Sequence, residues 1–232
     1  MKALVQRDKQ RLKNLKVQES RGISMEKYIL IGDSGHAKVI EDCIVSNGNQ
    51  VIAKLDDKYA DTIQEGPYLK GPISNIYDLL ADDIKVVISI GNNEIRRKIV
   101  LKLNIDNQYY GMVVHKSAIV SQTATVGRGT VIMPNVVVNA DTSIGAHVIL
   151  NTGSIIEHDG VINDFVHVSP GCVLTGNVTV GEGTQVGAKS VAIPSITIGS
   201  WSMIGAGSSV VRNIGDHVTA VGVPAKVIRE KD

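Results

Sequence analysis

Two histidines in the stretch NTGSIIEHDGVINDFVHVSPG, residues 151–171, are the side chains best suited to chemistry. His158 and His167 are nine residues apart, and a histidine with a pKa of about 6.5 can accept a proton at neutral pH. An amine or hydroxyl that attacks a carbonyl carbon needs such a base. Glu157 and Asp159 flank His158, and either carboxylate could orient its ring and raise its basicity. The pattern leaves core packing, metal binding and catalysis open.

A metal site would need more ligands than these two histidines. His147 offers a third, as a zinc site built from histidines requires. The sequence shows no acidic or amide constellation that accompanies the three, so we expect no metal. Cys43 and Cys172 lie far apart with no CxxC spacing, which indicates neither a zinc site nor a disulfide framework. Proton transfer is therefore the favoured chemistry.

Three short apolar runs in the first half of the chain predict strands that position a second set of polar residues. The runs are Lys27–Ile31, Val51–Leu55 and Val86–Ile90, and a glycine turn and a helical pattern follow the first and the third. Strands that alternate with helices indicate βαβ units and a parallel sheet. Ligands of such sheets bind beyond the carboxyl ends of the strands.

The loops at these strand ends carry the candidate substrate residues, which are Ser34, Gly35, His36, Asp56, Asp57 and Gly91. The glycine turn GDSGHA lets a ligand approach the backbone, and the N–H groups at the following helix start suit a phosphate. The two carboxylates can bond a ribose hydroxyl or a base. Because the turn does not follow GxGxxG, a dinucleotide cofactor is disfavoured.

The second half of the chain repeats every six residues without a break. Every sixth position is apolar, namely Val114, Val120, Val126, Ile132, Val138, Ile144, Leu150, Ile156, Ile162, Val168, Leu174, Val180, Val186, Ala192, Ile198, Ile204 and Val210. A fixed period sustained over this length is the signature of a solenoid. His158 and His167 both fall off this beat, so core packing is not their expected role.

This repeat resembles that of the hexapeptide-repeat acyltransferases, whose chain winds a left-handed parallel β-helix with three strands in each triangular coil. The resemblance implies that outward residues 18 positions apart stack on one face. One such column is apolar throughout: Ile119, Val137, Ile155, Val173 and Val191. The second is mixed (Val131, Ile149, His167, Gln185, Met203) and the third mostly polar (Thr125, Ser143, Val161, Thr179, Thr197). An exposed apolar column indicates an interface, and the resemblance implies that this interface builds a homotrimer with active sites between subunits.

Five motifs narrow the resemblance. SGH follows the first strand, LDD ends the second, GNNEIRRKI follows the third, NTGSIIEHD lies in the repeat, and GVPAKVI stands near the end. In this order they resemble the bacterial nucleotide-sugar N-acetyltransferases that act on UDP-4-amino sugars, and the related sialic acid O-acetyltransferase family. The resemblance runs from about Met25 onward. It implies transfer of acetyl from acetyl-CoA to the amino group of a nucleotide-activated amino sugar, for surface polysaccharide or glycan synthesis.

The resemblance also implies roles for single residues. It makes His158 the general base and Asp159 the residue that enhances its basicity, although the family has a glutamate there, one methylene longer. The candidate substrate residues would hold the nucleotide-sugar. A pantetheine arm would run along the prism where small residues permit close approach. The expected acetyl-CoA residues are His167, Gly176, Gly187, Ala188 and Ala206.

Two other functions stay open at this point. One is O-acetylation of a sugar hydroxyl, because the sialic acid O-acetyltransferase family shares both domains. The other is a binding module that senses nucleotide-sugars without turnover, in which an exposed His158 would be incidental.

The expected fold is an α/β N-terminal Rossmann-like domain followed by an all-β left-handed parallel β-helix. Residues 1–24 form a basic extension, 25–117 the nucleotide-sugar-binding domain, 118–213 the β-helix and 214–232 a C-terminal tail. The extension holds seven Lys or Arg against two acidic residues, but its apolar stripe is weak, so we expect it to be poorly ordered, with no nucleic-acid partner and no integral membrane contact. No apolar run approaches the roughly 18 residues of a membrane span, and cysteines without partners fit the cytoplasm.

Overall fold

The protein consists of a small α/β domain followed by a parallel β-helix, as the sequence predicted. The structure, a computed structural model, describes residues 25–230. The basic extension expected at residues 1–24 lies outside the described residues.

The α/β domain is built on a five-stranded sheet with strand order β3-β4-β2-β1-β5. The strands are β1 (Lys27–Ile31), β2 (Gln50–Leu55), β3 (Ile63–Glu65), β4 (Tyr68–Gly71) and β5 (Ile84–Ile88). The helices are α1 (Gly35–Ser46), α2 (Ile76–Leu79) and α3 (Asn93–Leu103), with 3-10 turns at Ile73–Asn75 and Asn107–Tyr109. Because β1 pairs in parallel with both β2 and β5, the loops that follow these three strands meet at one edge of the sheet.

Two features of this sheet differ from the sequence prediction. β5 ends at Ile88, two residues early, and the hydroxyl of the next residue, Ser89, lies 2.7 Å from the carbonyl oxygen of Gly32 and 2.9 Å from that of Ile31. The β3–β4 hairpin was not predicted, since every residue of β3 is exposed and its sequence IQE has no apolar alternation.

The β-helix has three faces, in which parallel strands pair residues 18 positions apart, as in Ile155 with Val173. The exceptions lie at the C-terminal end of the third face, where Thr219 pairs with Met203, 16 positions away, and β23 (Val218–Val221) pairs antiparallel with β24 (Lys226–Glu230). The apolar face comprises β7 (Ile119–Val120), β10 (Val137–Val138), β13 (Ile155–Ile156), β16 (Val173–Leu174), β19 (Val191–Ala192) and β22 (Ser209–Val210). The polar face comprises β8 (Thr125–Val126), β11 (Ser143–Ile144), β14 (Val161–Ile162), β17 (Thr179–Val180) and β20 (Thr197–Ile198). The docking face comprises β6 (Val113–Val114), β9 (Val131–Ile132), β12 (Ile149–Leu150), β15 (His167–Val168), β18 (Gln185–Val186), β21 (Met203–Ile204), β23 (Val218–Val221) and β24 (Lys226–Glu230).

The apolar side chains at every sixth position fill the interior of the β-helix. Its inward residues from Ile132 to Val210 are at most 3% exposed. At the corners, every sixth residue from Gly129 to Gly207 has a left-handed backbone with positive φ. Glycine, asparagine and aspartate tolerate this conformation best, and they occupy most of these positions. The sequence therefore specifies both the apolar core and the turns between its strands.

The α/β domain covers the docking face. Val131 of β9 is 1% exposed because it shares one buried cluster with Ala37, Ile40 and Ile44 of α1. The side-chain amide of Asn47 also donates to the carbonyl oxygen of Val114, at 2.6 Å. The outward column that looks mixed in the sequence, from Val131 to Met203, is thus largely an interface between the α/β domain and the β-helix.

The inward register of the six-residue repeat can be tested with Ile162→Ala. Ile162 is 1% exposed, and its truncation should lower the free energy of unfolding by about 2–5 kcal/mol because a cavity remains. Its neighbour Val161 points outward and is 40% exposed, so Val161→Ala should cost about 1 kcal/mol or less. Denaturant unfolding of both variants measures the difference, and equal losses would contradict the inward register.

Candidate active site

His158 and Asp159 form a hydrogen-bonded pair at one corner of the β-helix. They lie in the turn between β13 and β14, where the apolar face meets the polar face. Nδ1 of His158 is 2.7 Å from Oδ2 of Asp159, and the His158 side chain is 61% exposed. The aspartate is therefore long enough to reach the ring, despite the methylene that it lacks relative to glutamate.

The backbone of the turn produces this pair. Asp159 occupies the left-handed position of its coil, with φ of 58°, and its N–H donates to the carbonyl oxygen of Ala140 at 3.0 Å. One coil further along, Gly176 lies under the ring of His158. A Cβ on Gly176 would stand 2.7 Å from Cε1 and 2.8 Å from Nε2 of that ring. The missing side chain of Gly176 gives the imidazole its room, so Gly176 lies at the same corner as His158.

This arrangement suits a general base. The hydrogen bond to Asp159 raises the pKa of His158, with a smaller contribution from the charge of Glu157. Because Nδ1–H donates to the carboxylate, Nε2 keeps its lone pair and can accept a proton.

His167 lies in a different environment, between the docking face and the α/β domain. It projects off the prism interior but is only 9% exposed, and its ring centroid is 6.3 Å from that of His36. The amide nitrogen of Asn151 lies 3.1 Å from Nε2 of His167, which must accept, so Nδ1 carries the proton. Nδ1 of His167 and Nε2 of His36 are buried without a hydrogen-bond partner within residues 25–230.

Burial keeps both of these rings neutral. It lowers the pKa of His36 to about 4, and the nearby charge of Arg96 adds to the effect. The pKa of His167 also falls to about 4, through burial and then the charges of Arg96 and His36, while a contact with the Gly91 backbone opposes the shift. The two buried histidines can therefore donate or accept hydrogen bonds at neutral pH without carrying charge.

The glycine turn and the loop after β5 leave backbone open for a ligand. Ser34 caps α1 without a side-chain capping bond and is exposed. A Cβ added to Gly35 or to Gly91 would meet nothing within 4 Å. His36 stands between this turn and His167. Four of the predicted substrate residues, Ser34, Gly35, His36 and Gly91, thus border one edge of the sheet.

The two aspartates after β2 already have protein partners. Asp56 accepts the N–H groups of Asp33 and Lys58, at 2.9 and 3.1 Å. Oδ1 of Asp57 accepts a hydrogen bond from the backbone N–H of Ile73 at 3.1 Å. These carboxylates hold the loop in shape, and lone pairs of their oxygens remain for a ligand.

Sequence reasoning missed Asp33 and its two partners at this edge. Burial would raise the pKa of Asp33, but hydrogen bonds from Tyr59 and Lys70 and the charge of Lys70 hold it below its usual value. Oδ2 of Asp33 is 2.5 Å from the Tyr59 hydroxyl and 3.2 Å from Nζ of Lys70. Nothing in the linear pattern signals this cluster, because its members come from three separate segments.

The other expected acetyl-CoA residues lie at a different corner from His158. Gly187 and Ala188 follow β18, and Ala206 follows β21, where the docking face meets the apolar face. A Cβ on Gly187 would stand 2.6 Å from the backbone nitrogen of Ala206, so these turns stack tightly. Within one chain, the whole apolar face separates this corner from the corner of His158.

A cleft of about 120 Å³ opens below His167, between the start of α3 and the docking face. Its walls include Asn92, Gln185, Trp201 and Met203, and Gln185 pairs directly with His167 in the sheet. Among the described residues, no group of three or more His, Cys, Asp or Glu side chains could hold a metal ion. His147 instead stacks on Phe165, with ring centroids 5.2 Å apart.

No helix within the described part of the chain is long and apolar enough to cross a membrane.

Residues 27–103 match the family model of the PglD N-terminal domain. Over 112 residues the chain is 42% identical to UDP-N-acetylbacillosamine N-acetyltransferase of Bacillus subtilis. That alignment covers 47% of this chain and 52% of the relative, so it spans about half of each protein.

Solved structures match over nearly their whole length. A variant of GDP-perosamine N-acetyltransferase from Caulobacter crescentus, in complex with CoA and GDP-perosamine, is 32% identical with a TM-score of 0.81, covering 89% of this chain and 99% of that one. The acetyltransferase domain of PglB from Neisseria gonorrhoeae, in complex with acetyl coenzyme A, is 31% identical with a TM-score of 0.78, covering 88% and 100%. The chain therefore belongs to the PglD-type nucleotide-sugar N-acetyltransferases of the hexapeptide-repeat acyltransferase family.

Proposed function

We propose that this protein transfers the acetyl group of acetyl-CoA to the amino group of a nucleotide-activated amino sugar, for surface polysaccharide or glycan synthesis. The observation that carries the proposal is the His158–Asp159 pair above Gly176, in a chain whose relatives include amino-sugar N-acetyltransferases. The names of these relatives favour an amino group over a hydroxyl as the acceptor.

The reaction is a direct attack on the thioester. The sugar amine adds to the carbonyl carbon of acetyl-CoA, and its proton passes to Nε2 of His158. Asp159 stabilises the imidazolium that results, because its carboxylate already accepts the Nδ1 proton. The tetrahedral intermediate then collapses, the C–S bond breaks, and CoA leaves as a thiol once a proton is returned.

The loops of the α/β domain would hold the nucleotide-sugar. The open backbone at Gly35 and Gly91 and the uncapped start of α1 suit a pyrophosphate. Ser34 and His36 would add side-chain contacts, and the remaining lone pairs of Asp56 and Asp57 would accept from a ribose or a base. Because the ring of His36 is neutral, it can donate or accept a hydrogen bond without adding a charge next to the pyrophosphate.

Acetyl-CoA would lie along the docking face. The Nδ1–H of His167 is a buried donor beside the Gly91 backbone that makes no hydrogen bond of good geometry among the described residues, and it would turn to the acetyl group. The cleft below it, and the small residues Gly187, Ala188 and Ala206, would accommodate the pantetheine arm.

We further propose a homotrimer with each site between two chains. His158 and the acetyl-CoA residues occupy opposite corners of one prism, so one chain alone does not bring them together. The apolar face between these corners exposes Ile119 and Val191, 66% and 37% accessible. Packing this face against a neighbour would bury it and bring the His158 corner of one chain to the His167 corner of the next.

Two free cysteines, Cys43 and Cys172, fit a reducing cytoplasm as the place of action.

The proposed base can be tested by His158→Asn. Removing the proton acceptor should lower kcat/KM by about 100-fold to 10,000-fold in a thiol-release assay with acetyl-CoA and a panel of UDP- and GDP-amino sugars. His217→Asn is the matched control, because His217 is an exposed turn histidine elsewhere on the β-helix. Full activity of the His158 variant would refute the assignment, and no acetylation of any amino sugar by the wild type would refute the activity.

The role of Asp159 can be tested by Asp159→Asn. The carboxylate stabilises the charged ring, so its loss should lower the pKa of His158 and move the acid limb of the kcat/KM profile to lower pH. NMR titration of the histidine rings measures the pKa directly. Asp141→Asn, at the equivalent turn one coil earlier, should leave it unchanged, and an unchanged His158 in the Asp159 variant would contradict the pairing.

The proposed assembly can be tested by Ile155→Lys. A lysine in the middle of the apolar face should place a charge in the buried interface and give monomers in sedimentation velocity. Val161→Lys changes an exposed residue of the polar face and should leave the trimer intact. If the Ile155 variant sediments as the wild type does, this face is not the interface.

A further inference from the structure

Arg96 in α3 is a fully buried charged residue. Its side chain is 1% exposed, whereas the adjacent Arg97 is 47% exposed at its side chain. A guanidinium can be buried without large cost only when its donors are all hydrogen-bonded. Within residues 25–230, no carboxylate lies within ion-pair distance of Arg96, so its partners are all neutral groups.

Two donors of Arg96 bind the β-helix. Nε donates to the carbonyl oxygen of His147 at 2.9 Å, and Nη2 donates to that of Phe165 at 2.7 Å. These carbonyls belong to equivalent turns of consecutive coils, and the second turn leads directly into His167. Arg96 is therefore anchored to the coil that carries the proposed acetyl-CoA histidine.

The other three donors bind the start of α3 and the loop before it. Nη1 donates to the carbonyl oxygens of Ile90 and Gly91, at 3.0 and 3.2 Å. Nη2 also donates to Oδ1 of Asn93 at 2.9 Å, and the amide of Asn93 reaches the Gly183 carbonyl oxygen at 3.0 Å. All five N–H groups of Arg96 are thus used, and they connect the loop of Gly91 to the β-helix.

We propose that Arg96 is a positioning residue that fixes the nucleotide-sugar loop at Gly91 against the His167 coil, so that bound sugar and bound acetyl-CoA are held in register. The proposal rests on the function proposed above. Arg96 touches no substrate, because none of its donors is free. It acts through the backbone of the loop, which is the more adjustable of the two sides, since the β-helix coil is held by strand pairing on both sides.

The charge of Arg96 has a second effect on the same region. The titratable groups around it are His36 from α1 and His147 and His167 from the β-helix, and burial followed by the Arg96 charge lowers the pKa of each to about 4. Asp164 opposes the shift at His147. Replacing Arg96 by a neutral residue would therefore loosen the loop and also make the neighbouring histidines easier to protonate.

The test compares Arg96→Gln and Arg96→Lys with the control Arg97→Gln. Arg97 also bridges the two parts of the chain, through an exposed ion pair to Glu182 at 3.2 Å, so its variant removes a charge and a contact without touching the loop. The measurements are KM for the nucleotide-sugar, KM for acetyl-CoA, kcat, and amide hydrogen exchange of the peptide containing residues 88–93.

Arg96→Gln should raise the nucleotide-sugar KM by about tenfold or more, because a small misplacement of a positioning loop has large kinetic effects. The KM for acetyl-CoA should change less than about twofold, since the β-helix side stays in place. Exchange in residues 88–93 should become faster, and Arg96→Lys, which keeps the charge and some donors, should recover part of both effects. Arg97→Gln should match the wild type in the nucleotide-sugar KM and in exchange, although Arg97 also lies 5.5 Å from the ring centroid of Trp201 in the cleft wall.

Equal rises in both KM values, or unchanged exchange in a folded Arg96→Gln protein, would overturn the proposal. If Arg96→Gln does not fold, Arg96→Lys carries the same comparison, and a lysine variant identical to wild type in exchange and in KM would overturn it. Hydrogen exchange needs no turnover. A wild-type protein that acetylates no amino sugar would therefore refute the proposed function, and the exchange data would still decide whether Arg96 holds the loop.

Discussion

The structure depends on one backbone constraint, which is the left-handed turn that recurs at every sixth residue of the β-helix. Each such turn redirects the chain so that the next inward residue reaches the core and pairs with the coil below. The same constraint places the candidate base. Asp159 occupies a left-handed position, and its conformation directs the carboxylate back to His158. The geometry of the candidate base is therefore a consequence of the repeat, and Gly176 leaves room for its ring.

Two histidines of the same coil are tuned in opposite directions. His158 is exposed, paired with a carboxylate, and has a raised pKa, which suits a group that takes up a proton. His167 is buried under the α/β domain near Arg96 and has a lowered pKa, which suits a neutral hydrogen-bond donor. Environment, rather than residue type, thus separates their proposed roles. The α/β domain contributes to this division because it supplies both the burial and the charge of Arg96.

The sequence was sufficient for whatever depends on periodicity or on neighbours in the chain. The six-residue period predicted a solenoid and its inward residues, and the family resemblance made that solenoid a β-helix. Adjacency left Asp159 and Glu157 as the two candidate partners of His158, of which the structure pairs Asp159. Features that depend on contacts between distant segments could not be predicted. Burial of Arg96 is one, because an arginine in a charged helix such as NEIRRKIVLKL has the pattern of a solvated residue. The covering of the docking face is another, since a column that contains Val131 and His167 looks mixed until the α/β domain is placed on it.

In the proposed trimer, the base and the acetyl-CoA histidine of one site come from two chains. The most direct test of this arrangement is subunit complementation with His158→Ala and His167→Ala proteins, each inactive alone, unfolded together and refolded as mixed trimers. The mixture should regain up to about one quarter of wild-type activity, because random assembly of equal amounts brings the two intact histidines into about one site in four. A mixture that stays inactive although mixed trimers form would contradict a site shared between neighbouring chains.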